Sequence, residues 1–205
     1  REDELGFVAR AFNAVVARAR TLVDELEQRV ADRTASLARR NAHLEAISLV
    51  GQEAASATNP NTLLDIAVNA ISDNFGFYHT GIFVLDEDQE WAILRAASSD
   101  GGRRMLNRGH RLRVGQVGIV GNVSETGRPR IAFNVGEDAV WFNNPDLPET
   151  QAEMALPMAT EDEIVGVLDV QSRRQDAFSE DDINTLQLMA DQITVALSNA
   201  QTLET

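Results

Sequence analysis

The side chains of this chain best suited to chemistry are three histidines, His43, His79 and His110, and they are scattered too widely to share a local motif. A metal site without cysteine would need two or three of them to converge with carboxylates, and no spacing proposes it. Cysteine is absent altogether. That excludes disulfides, Cys-ligated metals, iron–sulfur clusters, thiol nucleophiles and a thioether-linked chromophore. All 18 basic residues are Arg, so neither Schiff-base chemistry nor a phosphate-loop Lys is available. No nucleophile, base and orienting group stand in a recognisable pattern. The expectation is a chain with no catalytic residues and no metal ligands.

Binding is better supported than catalysis. Aromatic residues make up only 5% of the sequence, yet Phe133, Trp141 and Phe142 fall close together around a long acidic loop, where rings need a partner or a purpose. Gly115-x-x-Gly118-x-x-Gly121 resembles a phosphate-cradling stretch, a weak signal without a Lys or a preceding buried strand, and its amides at Gly118 and Ile119 would be free to receive an anionic or carbonyl group. Together with His110 and Glu153 these residues form the expected ligand pocket, under a loop at 136–150. The alternative is that the three rings plug the open side of the domain. His79 and His110 each begin a strand, facing a pocket or satisfied at a sheet edge. His43 is expected to be solvated. Arg103, Arg104, Arg108, Arg111 and Arg113 form a basic cluster, read as solvated surface in preference to an anion site. A net charge of -14 argues against nucleic acid as a partner.

The elements that must position these groups begin with a long helix. Leu5, Ala9, Phe12, Val16, Ala19, Val23, Leu26, Val30, Arg33, Leu37, Arg40, Leu44 and Ile47 are spaced alternately four and three residues apart, the repeat of a coiled-coil seam. The stripe is narrow and its flanks are charged, so one helix alone cannot bury it. A parallel homodimer is the expected solution, through Phe12, Val16, Val23, Leu26, Val30, Leu37, Leu44 and Ile47, joined by Ile193 and Leu197 of a closing helix. Arg33 and Arg40 interrupt the seam, either as a register device or as a weak stretch able to hold two registers.

After Ile47 the helix is expected to loosen at Gly51. Asn59-Pro60 then starts a second helix that ends at Gly76. A hairpin follows, Tyr78 to Leu85 and Trp91 to Ala97. Next come a short helix at 103–107, a strand at 110–114, a helix at 118–125 and a strand at 130–133. Beyond the long loop a second hairpin runs from Glu153 to Met158 and from Ile164 to Gln171. Ser179 then caps a last helix whose first turn holds Glu180, Asp181 and Asp182. Without regular crossover helices this pattern predicts an α+β domain with an antiparallel sheet of five to six strands flanked by helices. No apolar run is long enough to span a bilayer.

Glu153-Met154-Ala155-Leu156-Pro157, Val165-Gly166-Val167-Leu168-Asp169-Val170, and Phe178 with Asp182, Leu186, Ala190, Gln192 and Asn199-Ala200 resemble the end of a GAF domain. Gly76-Phe77-Tyr78, the glycine series from Gly115 and Thr126-Gly127-x-Pro129 fit the same pattern. The opening Asp3-Glu4-Leu5-Gly6 with Phe12-Asn13 is similar to the second helix of a HAMP module. Val30-Ala31-Asp32-Arg33-Thr34 resembles the linker that follows it in bacterial sensor kinases. The resemblance implies a division into residues 1–18 (half of HAMP), 19–45 (coiled-coil linker) and 46–205 (a PAS-like GAF domain with an output helix). It further implies a cytoplasmic fragment of an inner-membrane receptor, with a histidine kinase or other output enzyme beyond Thr205 and membrane contact only through flanking segments. The bilin-attaching Cys is missing, and of the cyclic-nucleotide signature only Phe178 and Asp182 remain, with Ile183 in place of its last Glu. No cofactor is therefore expected, and Phe178 reads as a core anchor beside a helix cap. Two functions stay open: a ligand-responsive sensory domain, or a ligand-free dimerisation and transmission spacer. An enzyme comes third.

Overall fold

The computed structural model describes residues 2–56 and 59–203, with side chains over 6–10, 12–52 and 59–199. Residues 1–5 and 11 of the HAMP-like opening, and Ala200 of the closing helix, therefore lie outside the described side chains. The chain divides into two units, 1–41 and 42–205.

Helix α1 covers Glu2–Ser56, running through Gly51 rather than loosening there, since one glycine costs a helix only about 1 kcal/mol. In the first unit it has no core to pack on. Phe12, Leu26 and Val30 are 65%, 57% and 63% exposed, and Val23 and Leu37 are similarly open.

The second unit holds the last turns of α1, then α2 (Pro60–Phe75), β1 (His79–Leu85), β2 (Trp91–Ala97), α3 (Asp100–Asn107), β3 (Arg111–Arg113), α4 (Gly118–Thr126), β4 (Arg130–Ala132), β5 (Ala152–Ala159), β6 (Ile164–Ser172) and α5 (Glu180–Leu203). Helix α2 starts where the sequence demands, with the Asn59 side chain accepting from the Asn61 amide and Pro60 in the first turn. Gly76 closes it in the left-handed conformation. The six strands form one antiparallel sheet in the order β3-β2-β1-β6-β5-β4. Both expected hairpins are present, and β1 pairs with β6 at the centre.

Alternation along the strands divides the interior in two. Ile82, Met154, Leu156, Leu168 and Val170 face one side, under Ala46 and Val50 of α1, Leu64, Ala67 and Ile71 of α2, and Leu186, Ala190, Ile193 and Leu197 of α5. The terminal helices thus share one face. The other side presents Phe83, Leu94, Ala155 and Val167 to α3, α4 and the long loop.

This packing corrects the assignment of α5 to the dimer seam. Ile193 and Leu197 are buried in the domain core, and Ile47 is partly buried against it, because α5 turns its apolar stripe inward to cover the sheet. Its outward residues are Leu188 and Val195.

His43 is a second correction. It is buried, not solvated, stacking on Phe75 at 4.1 Å with its Nε2 3.3 Å from Asp182 Oδ1. The other Asp182 oxygen accepts from Ser179 N and Oγ, while Ser179 Oγ accepts from the Asp182 amide, a reciprocal cap at the start of α5. The imidazole thereby ties α1 to the N-terminus of α5. Phe178, packed beside this cap against Phe77, is the core anchor expected.

Candidate functional site

Strands β5 and β6 are buried along almost their whole length, so each polar residue within them has been forced inward. Glu153 faces Gln171 across the ladder, and Asp169 faces Ala155. Period-two alternation puts Glu153, Asp169 and Gln171 on the side away from α5. There they floor a cavity of about 40 Å³, room for roughly two or three water-sized groups.

The walls come from four places. Phe83 rises from β1, Met105 from α3, His110 and Leu112 from the segment around β3, and Gly118, Ile119 and Val120 from the start of α4. The roof is the loop after β4, with Trp141, Phe142, Asn144 and Leu147. Two aspartates hold this roof. Arg130 forks onto Asp138 with two 3.1 Å hydrogen bonds, and Arg104 and Arg108 both reach Asp146. Asn144 adds a 3.0 Å contact to the Met105 sulfur.

Glycine is required at the turn into α4. Gly115 and Gly118 have φ of +73° and +67°, a region costly for residues with a Cβ. No side chain caps α4, leaving its first amides beside the cavity.

The floor carries the unusual electrostatics. Burial, and then the neighbouring Asp169 charge, push the Glu153 carboxyl well above the usual range, while the Trp141 indole N–H donates to it and pulls the other way. Burial raises Asp169 to about 7. Gln171 Nε2 donates to Asp169 Oδ2 at 2.7 Å, and the Thr150 hydroxyl holds Gln171 Oε1 at 2.6 Å. Asp169 Oδ1 has no N–H or O–H donor; its approach to Glu153 becomes a hydrogen bond only when one carboxyl carries a proton. His79, fully buried, places Nε2 4.0 Å from Asp169 Oδ2 and Nδ1 2.7 Å from Ser99 Oγ. Burial lowers its pKa to about 4, so the ring is neutral near pH 7.

Six of the seven residues expected in the pocket line this one cavity: His110, Gly118, Ile119, Trp141, Phe142 and Glu153. Phe133 is the correction. It lies just past the end of β4, 42% exposed and outside the cavity, because on the loop-side face of the sheet β4 contributes Ala132, its last residue. Asp169, Gln171 and Thr150 were missing from the expected set. For Asp169 and Gln171 the signal was available: two polar residues, two apart, that interrupt and end the apolar run at 164–170. The basic cluster is engaged internally. Arg103 pairs with Asp100, Arg104 and Arg108 with Asp146, and Arg111 and Arg113 lie over the Trp91 ring. Among the described residues no group of three His, Asp or Glu side chains converges as metal ligands.

A six-stranded antiparallel sheet with α1, α2 and α5 on one face, and a cavity under a strapped loop on the other, is the architecture of a known class of sensory domain. The GAF domain family model matches residues 57–198. The chain belongs to the GAF domain family, sensory domains found in signalling proteins. Among solved structures it is similar to the GAF domain of a phosphoenolpyruvate-protein phosphotransferase from Acinetobacter, at 24% identity and TM-score 0.68, covering 78% of this chain and 94% of that one. The corresponding domain from Coxiella burnetii is 18% identical with TM-score 0.71, covering 79% and 96%. Free methionine-R-sulfoxide reductase from Neisseria meningitidis, in complex with its substrate, is 16% identical with TM-score 0.68, covering 78% and 91%. No curated protein sequence matches the chain. No helix among the described residues is long and apolar enough to cross a membrane.

Proposed function

We propose that this chain is the sensory and relay domain of a dimeric receptor, converting the state of the cavity under Trp141 into movement of α1 and α5 towards an output domain that follows. The observation that carries the reading is the buried carboxyl pair on β5 and β6, open to a cavity roofed by a loop that two arginine–aspartate clasps fasten. Burying such groups costs several kcal/mol unless they are paired, a cost that structure alone gives no reason to bear. The opposite face of the same two strands packs on α5, and His43–Asp182 ties α5 to α1, so a shift of the strands has a short mechanical route to both helices.

The dimer belongs to the same proposal. Val16, Val23, Val30, Leu37 and Leu44 continue one heptad position along α1, and Gly51, the next in that series, borders an open groove with Leu188, Gln192 and Val195 of α5. Two copies meeting there would cover Leu44, Leu188 and Val195. A membrane receptor with a histidine kinase output is the full-length context that fits a HAMP-like start and a coiled-coil linker.

One observation favours the spacer reading: at about 40 Å³ the cavity is small. Hydrogen exchange separates the two. Compounds that raise the melting temperature in a metabolite screen should slow exchange in the 138–150 loop and alter it in α5. A relay is refuted if every stabilising compound leaves α5 exchange unchanged.

A further inference from the structure

Three acidic side chains of the loop after β4 each have an arginine: Asp138 has Arg130, Asp146 has Arg104 and Arg108, and Glu149 has Arg173. Glu153 and Asp169 are different. Both are at least nine-tenths buried, both line the cavity, and among the described residues the one basic group within ion-pair range of either is the neutral His79. Asp169 Oδ1 has no N–H or hydroxyl donor, and its remaining neighbour is the Glu153 carboxyl, which donates only while it holds a proton. The other walls include the rings of Phe83, Trp141 and Phe142. Aromatic faces are negative and attract organic cations, so walls and floor ask for the same sign of charge.

The kind of cation follows from the donors the floor lacks. A divalent metal wants more hard oxygen or nitrogen ligands than two carboxyls supply, and no three-ligand group is present among the described residues. A guanidinium is planar and broad for about 40 Å³. An alkylammonium fits: three N–H donors can meet Asp169 Oδ1, Glu153 and one further acceptor, while its first carbons lie against the rings.

We propose that Glu153 and Asp169 form a recognition site for an ammonium group, and that the domain's ligand is a small primary amine bound as its cation beneath Trp141. This deepens the sensory reading and rests on it for its consequence, though the binding step stands apart. It also gives the Trp141–Glu153 contact a role. A cation at Glu153 perturbs the indole that roofs the site, linking occupancy to the loop.

The test uses the Trp91→Phe protein, which keeps Trp141 as its sole tryptophan. Ethylammonium chloride is titrated at constant ionic strength against sodium chloride, with 1-propanol as a neutral probe of similar size. Trp141 emission should respond saturably to ethylammonium, at about millimolar concentration as expected for so few atoms, and not to sodium or 1-propanol. Glu153→Gln and Asp169→Asn should each weaken the response at least ~10-fold, the loss of about 1.4 kcal/mol of binding, with circular dichroism confirming the fold. No saturable response, an equal response to 1-propanol, or undiminished binding in both variants would overturn the proposal. Binding that leaves α5 exchange unchanged would support the amine site while refuting the relay.

Discussion

Replacing Asp169 by Asn should make the domain more stable in neutral solution, by an amount that depends on pH in a calculable way. In the folded state Asp169 titrates at about 7, against ~3.9 when unfolded. Between those values the folded protein holds a proton that the unfolded chain has released. Stability therefore falls as pH rises, by about 1.4 kcal/mol per pH unit for this one group. Over roughly three units the penalty reaches on the order of 4 kcal/mol, an upper figure because a buried site relaxes. His79 has the opposite sign. Its pKa is lowered to about 4, so the stability it contributes is present above ~6.5 and lost as pH falls towards 4. Glu153, also raised, loses stability with rising pH as Asp169 does. Subtracting variant from wild type removes His79. Glu153 reinforces the trend, since it no longer feels the Asp169 charge. The introduced carboxamide can accept from Gln171 and donate to Glu153, so shape and hydrogen bonding survive. Urea denaturation followed by circular dichroism should show the two proteins nearly equal at about pH 4, and the variant ahead by about 2–4 kcal/mol at pH 8. A difference that does not change with pH, or a variant less stable at pH 8, would refute the view that a buried, unpaired charge sits at this position.

Arg33→Leu combined with Arg40→Leu should raise the melting temperature and shift light scattering further towards the proposed dimer, because two seam positions gain apolar contact; a lower melting temperature would show the seam misregistered. His43→Ala should cost about 1–2 kcal/mol in urea denaturation, losing a carboxylate contact and a ring stack beside the α5 cap, and should speed hydrogen exchange in the first turn of α5. Gly166→Ala should cost at least ~1–3 kcal/mol, since a Cβ there would collide with the backbone carbonyl of Phe83. Ile193→Asp should unfold the domain, whereas Leu188→Asp should leave it folded and weaken the dimer, the two distinguished by circular dichroism and light scattering.

The sequence made the elements legible because each carried its own punctuation. Asn59-Pro60 and Gly76 bound α2, Ser179 with Asp182 starts α5, and the second hairpin strand runs from Trp91 to Ala97 as expected. Most of the pocket was legible for a different reason. Rings and polar residues concentrated in one acidic loop have few other uses. What stayed hidden depended on rotation and distance. The inward stripe of α5 looks like a seam whether it meets a partner or its own sheet, so Ile193 and Leu197 were placed on the wrong surface. His43 found Phe75 and Asp182 through a contact spanning most of the chain, which no local spacing encodes. Asp169 hid inside a family motif, where its charge was read as pattern rather than as a cost.

The pairing of β1 with β6 has a consequence for how the chain is made. His79 and Gln171 are register partners although ~90 residues separate them, so the centre of the sheet closes late and against a large loop entropy. On the ribosome the β1–β2 hairpin emerges early and must wait, one edge bare, until β5 and β6 have been synthesised. A stalled or truncated product ending before Ile164 would carry an open strand edge and an uncovered apolar face. Such fragments should aggregate or be degraded, so β5, β6 and α5 act as a built-in check that only complete copies of this domain persist in the cell.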